Sequence, residues 1–383
     1  MSATRPLRFH WSLSQAGNLF RRAERRETMS GLPDLDAQLA LCRAAERCGI
    51  ESLLMAIGSV RPDPLALSIA LGRATERVAF MIACRSGLIS PTLFVQQVNS
   101  ASALLQGRVC INMVCGHTPQ ELRYYGDFLS HDERYERTDE FLAVARLFWS
   151  GGGEVNFQGR YYRIEGGRLN TPFIAPDRTS PEIFVGGSSE QAARLAARHA
   201  DCLWRFPDVE ERLAPEIRPV LEAGKEVGLL VSLIARPTRQ EALAAAEALV
   251  APFPRSTREI HRAFAAQSDS HGFRANYALA EGDGTAWLGR CLWTGAIPYL
   301  GAPAIALVGS YQEITEAILD YRRMGVTQFL FVGWPDLEEL ERFGTQILPR
   351  IRARERSQAA GGPTHALPGA ARNEPFVGED SVA

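Results

Sequence analysis

The sequence predicts an α/β protein built as a (β/α)8 barrel, the TIM-barrel architecture. Short apolar runs of strand length alternate with segments of helical periodicity along most of the chain. The runs are apolar on both faces, as expected for parallel strands that helices cover on each side. A doubly wound open sheet is the alternative, but no GxGxxG motif follows an early run, which disfavours a Rossmann domain.

The order of the apolar runs and helices favours the closed barrel over the open sheet. Strands are predicted at residues 7–13, 51–56, 78–84, 109–115, 182–187, 202–206, 229–235 and 328–333. Helices are predicted at residues 34–48, 64–74, 91–105, 133–149, 189–199, 209–227, 238–249, 314–324 and 337–352. A strand, a helix and the next parallel strand form a right-handed unit, and eight such units close a barrel.

Some segments interrupt this alternation. Residues 151–180 predict a small hairpin, and residues 251–303 carry few strand signals, as a mobile lid over a site would. Residues 356–383 are rich in Gly, Ala, Pro and polar residues and predict a flexible tail, which leaves 1–355 as one barrel domain. A basic stretch at 21–26 follows the first strand, where a solvated loop and contact with an anionic substrate group are both open.

Composition excludes several functional classes. The chain of 383 residues is 46% hydrophobic and 22% charged, with a net charge of −2, so a nucleic-acid or membrane partner is disfavoured. No apolar run approaches the length of a membrane span, and the N-terminus lacks the apolar core of a signal peptide. The 7 cysteines are scattered and include no CxxC pair. We therefore expect no metal site, no disulfide framework and a cytoplasmic location.

The segment 108–148 is the most informative part of the chain. An apolar strand carries Asn112 and is followed by Cys115-Gly116-His117, and a charged segment with Tyr135 then opens a long helix. Ligands of parallel α/β folds bind at the carboxyl ends of the strands. These polar side chains are therefore candidates for a site, although Asn112 could make a structural bond and Tyr135 could pack the helix against the barrel.

A glycine-rich turn joins the fifth predicted strand to the helix that follows it. Gly186 and Gly187 allow a ligand to approach the backbone closely, and Ser188 or Ser189 caps the helix. The free N–H groups and the positive end of the helix dipole attract phosphate. Since serine is a common cap, this turn alone is weak support for a phosphate site.

Other candidates lie in or just after predicted strands. His10 lies in the first strand, Arg85 follows the third, His117 follows the fourth and Trp334 follows the eighth. Three of them have a structural alternative: a satisfied core histidine for His10, a salt bridge for Arg85, and packing on the pocket for Trp334.

From residue 7 to residue 353 the chain resembles the flavin-dependent alkanesulfonate monooxygenases of the bacterial luciferase-like family. The order and spacing of the matching blocks are kept. These blocks include SPTLFVQQ, NMVCGHTPQEL, FLSHDERYERTDEF, VNFQGRYY, FVGGSS and LWTG.

The resemblance implies chemistry, partners and roles. It implies reduced FMN supplied by a separate NAD(P)H-dependent flavin reductase, oxygenation of a small-molecule substrate with dioxygen, and a homodimer or homotetramer. The cofactor-binding positions that it implies are Ala56, Asn112, Tyr135, Gly187, Ser188 and Ser189. The candidate catalytic positions are His10, Arg85, His117 and Trp334.

The chain departs from the family where a sulfonate would bind. Leu230 and Ser232 replace an Arg-x-His pair, Leu300 replaces an arginine, Trp334 replaces a tyrosine and Arg61 replaces a cysteine. Sulfonate binding needs fixed cationic donors, so a simple alkanesulfonate is disfavoured. An apolar or larger molecule fits better, for instance a secondary-metabolite intermediate, free or bound to a carrier. A deazaflavin-dependent oxidoreductase of the same superfamily and a non-catalytic flavin-binding protein are the alternatives.

Overall fold

The computed structural model of the chain describes residues 5–13, 34–282 and 285–359. The basic stretch at 21–26 and the part of the predicted tail from residue 360 onward lie outside these residues. None of the helices in the described ranges combines the length and the apolar character needed to cross a membrane.

The strands and helices alternate along the chain as the sequence predicts. The strands are β1 Arg8–Ser12, β2 Ser52–Met55, β3 Ala79–Cys84, β4 Val109–Met113, β5 Val155–Gln158, β6 Arg163–Gly167, β7 Glu182–Gly186, β8 Cys202–Arg205, β9 Glu226–Arg236, β10 Leu292–Trp293, β11 Ala306–Ser310 and β12 Val326–Gly333. The helices are α1 Leu35–Arg47, α2 Pro64–Gly72, α3 Pro91–Leu104, α4 Pro119–Tyr124, α5 His131–Trp149, α6 Glu190–His199, α7 Glu210–Glu222, α8 Arg239–Val250, α9 Arg255–Gln267, α10 His271–Glu281, α11 Ile297–Leu300, α12 Tyr311–Arg323, α13 Asp336–Arg342 and α14 Leu348–Ala359.

The barrel closes through parallel pairs only. The strand order is β1-β2-β3-β4-β7-β8-β9-β12, and β12 pairs with β1 to complete the ring. In register, Arg8 of β1 lies opposite Gln328 of β12, and Cys202 of β8 lies opposite Glu226 of β9. The predicted (β/α)8 barrel is confirmed, and each predicted strand overlaps one barrel strand.

Alternate residues of each barrel strand serve two different cores. In β12, Leu330 points into the barrel and packs in a cluster with Met81 and Phe184, whereas Phe329 and Phe331 face the surrounding helices. The outer aromatic rings pack closely, and the rings of Phe331 and Phe343 are tilted by 50° with centroids 4.9 Å apart. Burying one such ring stabilises the fold by roughly 1.5–3 kcal/mol, so both faces of the sheet are fixed by apolar contact.

Two segments depart from the regular alternation, close to where the sequence places them. Within residues 151–180, β5 and β6 pair antiparallel. Residues 251–303 contain helices α9 and α10, the short strand β10 and helix α11.

Strand β11 was not predicted. It pairs in parallel with the outer half of β9, from Ser232 to Arg236. The barrel strands β8 and β12 pair with the inner part of β9. Strand β9 is therefore 11 residues long, because it serves the barrel at one end and the inserted segment at the other.

The C-terminal helix predicted at 337–352 is divided by a wide turn. A π-helical segment from Phe343 to Ile347 separates α13 from α14. Within it Gly344 contacts helix α1, and a Cβ atom there would lie 2.3 Å from the Cβ atom of Cys48. Only glycine allows the two helices to approach this closely, since real Cβ contacts do not reach that distance.

Candidate active site at the carboxyl end of the barrel

A cavity of about 240 Å³ lies at the carboxyl ends of the barrel strands. Strand ends, the β7–α6 turn and the start of helix α10 line it. It brings together most of the candidate residues from the sequence, namely Ala56, Arg85, Asn112, His117, Tyr135, Gly187, Ser188 and Ser189. His10 and Trp334 do not line it.

One end of the cavity is formed by the turn before helix α6. Ser189 caps this helix, and its Oγ accepts a hydrogen bond from the N–H of Ala192 at 3.2 Å. A Cβ atom on Gly187 would lie 2.6 Å from the Cβ of Ala192 and 2.8 Å from the Oη of Tyr135. The backbone of Gly187 is thus pressed between the helix and the phenol, which leaves no room for a side chain.

Tyr135 reaches this turn from helix α5. Burial raises the pKa of its phenol, so Tyr135 stays protonated at neutral pH and can donate a hydrogen bond into the cavity. The turn and the phenol therefore present hydroxyl and N–H donors to one small volume.

A second helix begins at the same end of the cavity. Ser270 caps helix α10, and its Oγ accepts from the N–H of Phe273 at 3.3 Å. A Cβ atom on Gly272 would lie 2.6 Å from the Oγ of Ser188. The positive ends of α6 and α10 therefore meet at Ser188, which suits an anionic group such as phosphate. Sequence reasoning missed α10, although Ser270 followed by helix-forming residues is a capping signal.

Two histidines stand beside this meeting point. His131 at the start of α5 and His271 at the start of α10 both line the cavity, and their ring centroids are 5.6 Å apart. The Nδ1 of His131 pairs with the Oδ1 of Asp132 at 2.7 Å. The carboxylate of Asp132 can only accept, so the Nδ1–H of His131 is donated to it, whereas the ring of His271 can add an N–H donor to the two helix ends.

His117 holds the inserted segment against the barrel. Its ring stacks on Phe273 with centroids 4.2 Å apart, and its carbonyl oxygen accepts from the Oγ of Ser268 at 2.8 Å. Burial, with the nearby charge of Arg85, lowers the pKa of His117. The imidazole is therefore neutral at pH 7, with Nδ1 already paired with Thr118 Oγ1 at 2.8 Å.

Arg134 joins three parts of the site through hydrogen bonds of its buried guanidinium. Its side chain is 2% exposed. Its Nε donates to the carbonyl of Cys115 at 2.9 Å, its Nη1 to the carbonyl of Leu129 at 2.9 Å and its Nη2 to Asp269 Oδ2 at 2.6 Å. The end of β4, the start of α5 and the inserted segment are thereby joined through one guanidinium.

Several buried polar atoms around the cavity have no hydrogen-bond partner among the described residues. These atoms are the Oδ1 of Asn112, the Nε and Nη1 of Arg85, the Nε1 of Trp204 and the Nε of Arg205. Buried polar groups are normally paired, because leaving one unpaired costs about 1–3 kcal/mol. A ligand that carries both donors and acceptors would satisfy them.

The structure places His10 inside the barrel rather than at its mouth, which corrects its expected position. The residue is 1% exposed. Its Nδ1 pairs with Ser52 Oγ at 2.7 Å and its Nε2 with Gln328 Oε1 at 2.8 Å. Because Ser52 opens β2 and lies directly opposite His10, the histidine sits low in the barrel, and both of its ring nitrogens are already engaged.

The pKa of His10 makes stability depend on pH. Burial, with the charge of Arg8, lowers the pKa to about 3, whereas an unfolded histidine titrates near 6.5. The neutral form therefore stabilises the fold fully above about pH 6.5, and this stability is lost as the pH falls towards 3. We expect the unfolding free energy from urea titrations to fall by up to about 1.4 kcal/mol per pH unit on this account. His10→Gln should flatten that slope, and equal slopes in both proteins would contradict the assignment.

Trp334 also lies outside the cavity lining. Its Nε1 donates to Ser232 Oγ at 3.1 Å, and the ring packs against a small second core around the inserted segment that includes Trp293. Ser232 is fully buried and also donates to the carbonyl of Pro303 at 2.9 Å. Of the positions that depart from the alkanesulfonate pattern, Leu230 lines the cavity and contributes an apolar wall.

With the barrel and its mouth established, comparison with known proteins identifies the family. A family model described as luciferase-like monooxygenase matches residues 8–328. The chain belongs to the luciferase-like monooxygenase family. The predicted family and the prediction of a monooxygenase enzyme are confirmed, while the narrower likeness to alkanesulfonate monooxygenases remains a prediction.

Solved structures of similar fold span nearly the whole chain. EDTA monooxygenase from Chelativorans sp. BNC1 matches with a TM-score of 0.70 at 19% identity, covering 94% of this chain and 99% of that one. The oxygenating constituent of 3,6-diketocamphane monooxygenase from Pseudomonas putida, in complex with FMN, matches with a TM-score of 0.63 at 17% identity, covering 90% and 98%. The coenzyme F420-dependent tetrahydromethanopterin reductase from Methanopyrus kandleri matches with a TM-score of 0.63 at 15% identity, covering 91% and 100%. At these identities the likeness shows the fold of the family.

Proposed function

We propose that this enzyme is a two-component, FMN-dependent monooxygenase. It would take reduced FMN from a separate NAD(P)H-dependent reductase and use dioxygen to oxygenate a small organic substrate other than a simple alkanesulfonate. Two helix N-termini meet at Ser188, and in the same cavity Asn112 Oδ1 has no partner among the described residues; this observation carries the proposal.

The residues at the polar end of the cavity fit the phosphate of FMN. Gly187, Ser188 and Ser189 would hold it through backbone N–H groups and hydroxyls, and Tyr135 would donate from the opposite side. Asn112 is only 7% exposed. Its amide oxygen has no partner in the part of the chain that the structure describes, and it suits a ring N–H such as a flavin carries. Ala56 lines the same cavity and would pack against the ring.

The remaining walls would orient the substrate and exclude water. When bound, reduced FMN supplies the electrons that activate dioxygen. Leu54, Ile57, Leu230 and Leu330 line the cavity with apolar side chains. Such walls keep water away from reactive species and favour an apolar substrate, and Leu230 stands where the alkanesulfonate enzymes are expected to carry an arginine.

We propose that residues 251–303 act as a lid on this single-domain barrel. The segment contacts the mouth through Phe273 on His117 and through Asp269 on Arg134, and it supplies the start of α10 to the phosphate end. Because the lid completes the binding site, ligand binding and closure would favour each other.

FMN is preferred over the deazaflavin coenzyme for a local reason. The hairpin β5–β6 that carries VNFQGRYY is tied to helix α5, where Glu140 accepts from the N–H groups of Arg160 and Tyr161 at 2.8 Å each. By resemblance, VNFQGRYY and the HDERYERTDEF segment at the start of α5 are the two motifs that favour FMN over the deazaflavin coenzyme, and Glu140 joins them. The solved structures do not make this choice, because the FMN complex of the 3,6-diketocamphane enzyme and the F420-dependent reductase match with the same TM-score of 0.63.

We also propose that the enzyme is cytoplasmic and homo-oligomeric. The 7 cysteines are all free thiols, as expected in the reducing cytoplasm, where a flavin reductase would operate. A homodimer or homotetramer is expected by resemblance to the family.

Tyr135→Phe tests the phosphate end. Removing the phenol hydroxyl should weaken binding of reduced FMN by about tenfold, the value of one hydrogen bond to a charged group. Anaerobic fluorescence titration measures the effect. Tyr161→Phe is the matched control, because the Oη of this hairpin residue donates to Glu136 of α5, 3.0 Å away, and its loss should leave the affinity unchanged. Equal affinities for Tyr135→Phe and wild type would remove Tyr135 from the binding site.

Oxygen labelling tests the reaction class. The enzyme is incubated with NADH, a flavin reductase, FMN, labelled dioxygen (¹⁸O₂) and the small-molecule fraction of a bacterial extract, and the products are analysed by mass spectrometry. We expect at least one product that gains a single labelled oxygen atom only when both enzyme and reductase are present. Labelled products that form equally without the enzyme would contradict the proposal.

A further inference from the structure

Arg85 lines the cavity with a buried guanidinium. Its side chain is 6% exposed, and its Nη2 donates to Glu121 Oε2 at 2.8 Å. The Nε and Nη1 atoms are buried without a partner among the described residues. A buried guanidinium rarely leaves donors unpaired, so a ligand acceptor is expected at this point.

The position of Arg85 is fixed by its neighbours. Glu121 is itself held by the N–H of Ser59 at 2.8 Å, and the guanidinium lies 5.8 Å above the ring of Tyr125. Burial would raise the pKa of Glu121, but the donors from Ser59 and Arg85 outweigh it and lower the pKa, so the carboxylate stays ionised at neutral pH. Arg85 and Glu121 therefore form a preorganised pair rather than a mobile charge.

The charge balance of the cavity decides which acceptor fits. Arg85 is paired with Glu121, and Arg205, the other arginine that lines the cavity, is paired with Glu216. Among the described lining residues, no arginine or lysine therefore lacks a carboxylate partner. A carboxylate or sulfonate placed beside Arg85 would share a compensated cation with Glu121 and remain partly unpaired, which is unfavourable for a buried charge. A neutral carbonyl oxygen needs only the donors.

We propose that Arg85 binds the carbonyl oxygen of a neutral, largely apolar substrate. The inference rests on the proposed function and names the substrate class for the same site. The carbonyl would accept hydrogen bonds from Nε or Nη1, and the carbon skeleton would lie against Leu54, Ile57 and Leu330. Arg85 is then a specificity-determining residue, and Glu121 sets the preference for a neutral ligand.

Fluorine NMR on the holoenzyme tests this assignment. The enzyme is first loaded anaerobically with reduced FMN, and the affinity for FMN is recorded. It is then titrated with 4′-fluoroacetophenone, 1-ethyl-4-fluorobenzene, 4-fluorobenzoate and 4-fluorobenzenesulfonate, which share one ring and differ in the polar group. We expect the ketone to bind at least about tenfold more tightly than the ethyl compound and than either anion.

Two variants assign the preference to the pair. Arg85→Met should remove the advantage of the ketone, while the affinities for the ethyl compound and for reduced FMN stay within about twofold of wild type. Glu121→Gln leaves Arg85 without its carboxylate partner and should increase the affinity for 4-fluorobenzoate by about tenfold. A purely structural role of Arg85 would not produce this change. The second variant keeps Arg85 in place, so the test stands even where Arg85→Met folds poorly.

Each contrary outcome has a distinct meaning. A wild-type enzyme that holds reduced FMN but binds the ketone no better than the ethyl compound, or binds either anion better, overturns the substrate assignment alone. An Arg85→Met variant that binds reduced FMN more weakly but keeps the affinity for the ketone also overturns the substrate assignment, because Arg85 is then a cofactor residue. A wild-type enzyme that binds no reduced FMN refutes the proposed function before any probe is added.

Discussion

Replacing Gly187 with alanine is expected to weaken binding of reduced FMN by at least about 100-fold. The added methyl group would lie 2.8 Å from Tyr135 Oη and 2.6 Å from the Cβ of Ala192, so the turn, the phenol or the helix must shift. Such overpacking costs roughly 1–3 kcal/mol. It would also move the backbone donors away from the phosphate, and each tenfold loss corresponds to about 1.4 kcal/mol.

The control for Gly187→Ala is Gly152→Ala. A Cβ atom on Gly152 would meet only the Oγ of Ser150 at 3.8 Å, and the residue lies in the exposed connection between α5 and β5. This variant should bind reduced FMN as wild type does. Both affinities are measured by anaerobic titration, with circular dichroism to confirm the fold. Full affinity in Gly187→Ala would exclude the β7–α6 turn as the phosphate site.

Replacing Arg134 with methionine is expected to lower the free energy of unfolding by about 3 kcal/mol. The substitution removes the guanidinium that donates hydrogen bonds to the carbonyl oxygens of Cys115 and Leu129, and the carboxylate of Asp269 loses its cationic partner. Breaking a buried ion pair from one side typically costs about 3–5 kcal/mol. The lower end applies here, because the side chain of Asp269 is 25% exposed and part of its charge can be solvated.

Two further variants separate the parts of this effect. Arg160→Met removes an arginine that is 62% exposed and pairs with Glu133 and Glu136, so its loss should change stability by no more than about 0.5 kcal/mol. The double variant Arg134→Met/Asp269→Asn should recover part of the loss, since no carboxylate is left unpaired. Urea unfolding measures all of these values. A change under 1 kcal/mol for Arg134→Met would mean that the three contacts do not act together.

The barrel could be predicted because its signal is local. Each barrel strand is a short apolar run, and the helices between them repeat at helical spacing. Strand β11 escaped prediction because only five residues, Ala306 to Ser310, form it, and its partner is the outer half of β9 rather than a barrel neighbour. Pairing of that kind depends on how the inserted segment folds back, which no local pattern records.

The site could be predicted where residues follow the ends of strands. Arg85, Asn112, His117 and the β7–α6 turn all meet in one cavity because parallel strands end at the same edge of the barrel. The depth of His10 inside the barrel could not be predicted, because it depends on the strand register that places His10 opposite Ser52. The orientation of the Trp334 side chain could not be predicted either, since its ring points to Ser232 and the second core.

The contribution of helix α10 could not be predicted from the sequence. Its first turn reaches the cavity only because Phe273 stacks on His117 and Asp269 pairs with Arg134, across more than 130 positions of chain. The sequence predicted that this segment covers the site. It did not predict a second helix N-terminus there, because the contacts that place it are tertiary.

The most direct test of the central claim is an anaerobic titration of the wild-type enzyme with reduced FMN, followed by the same titration with the reduced deazaflavin coenzyme. We expect saturable binding of one FMN per chain, because the two helix ends at Ser188 and the amide of Asn112 suit a phosphate and a ring N–H. We expect this binding to be at least about tenfold tighter than that of the deazaflavin, because the hairpin β5–β6 and helix α5 carry the motifs that favour FMN by resemblance. Absence of FMN binding, or tighter binding of the deazaflavin coenzyme, would contradict the account and point to the other cofactor of the superfamily.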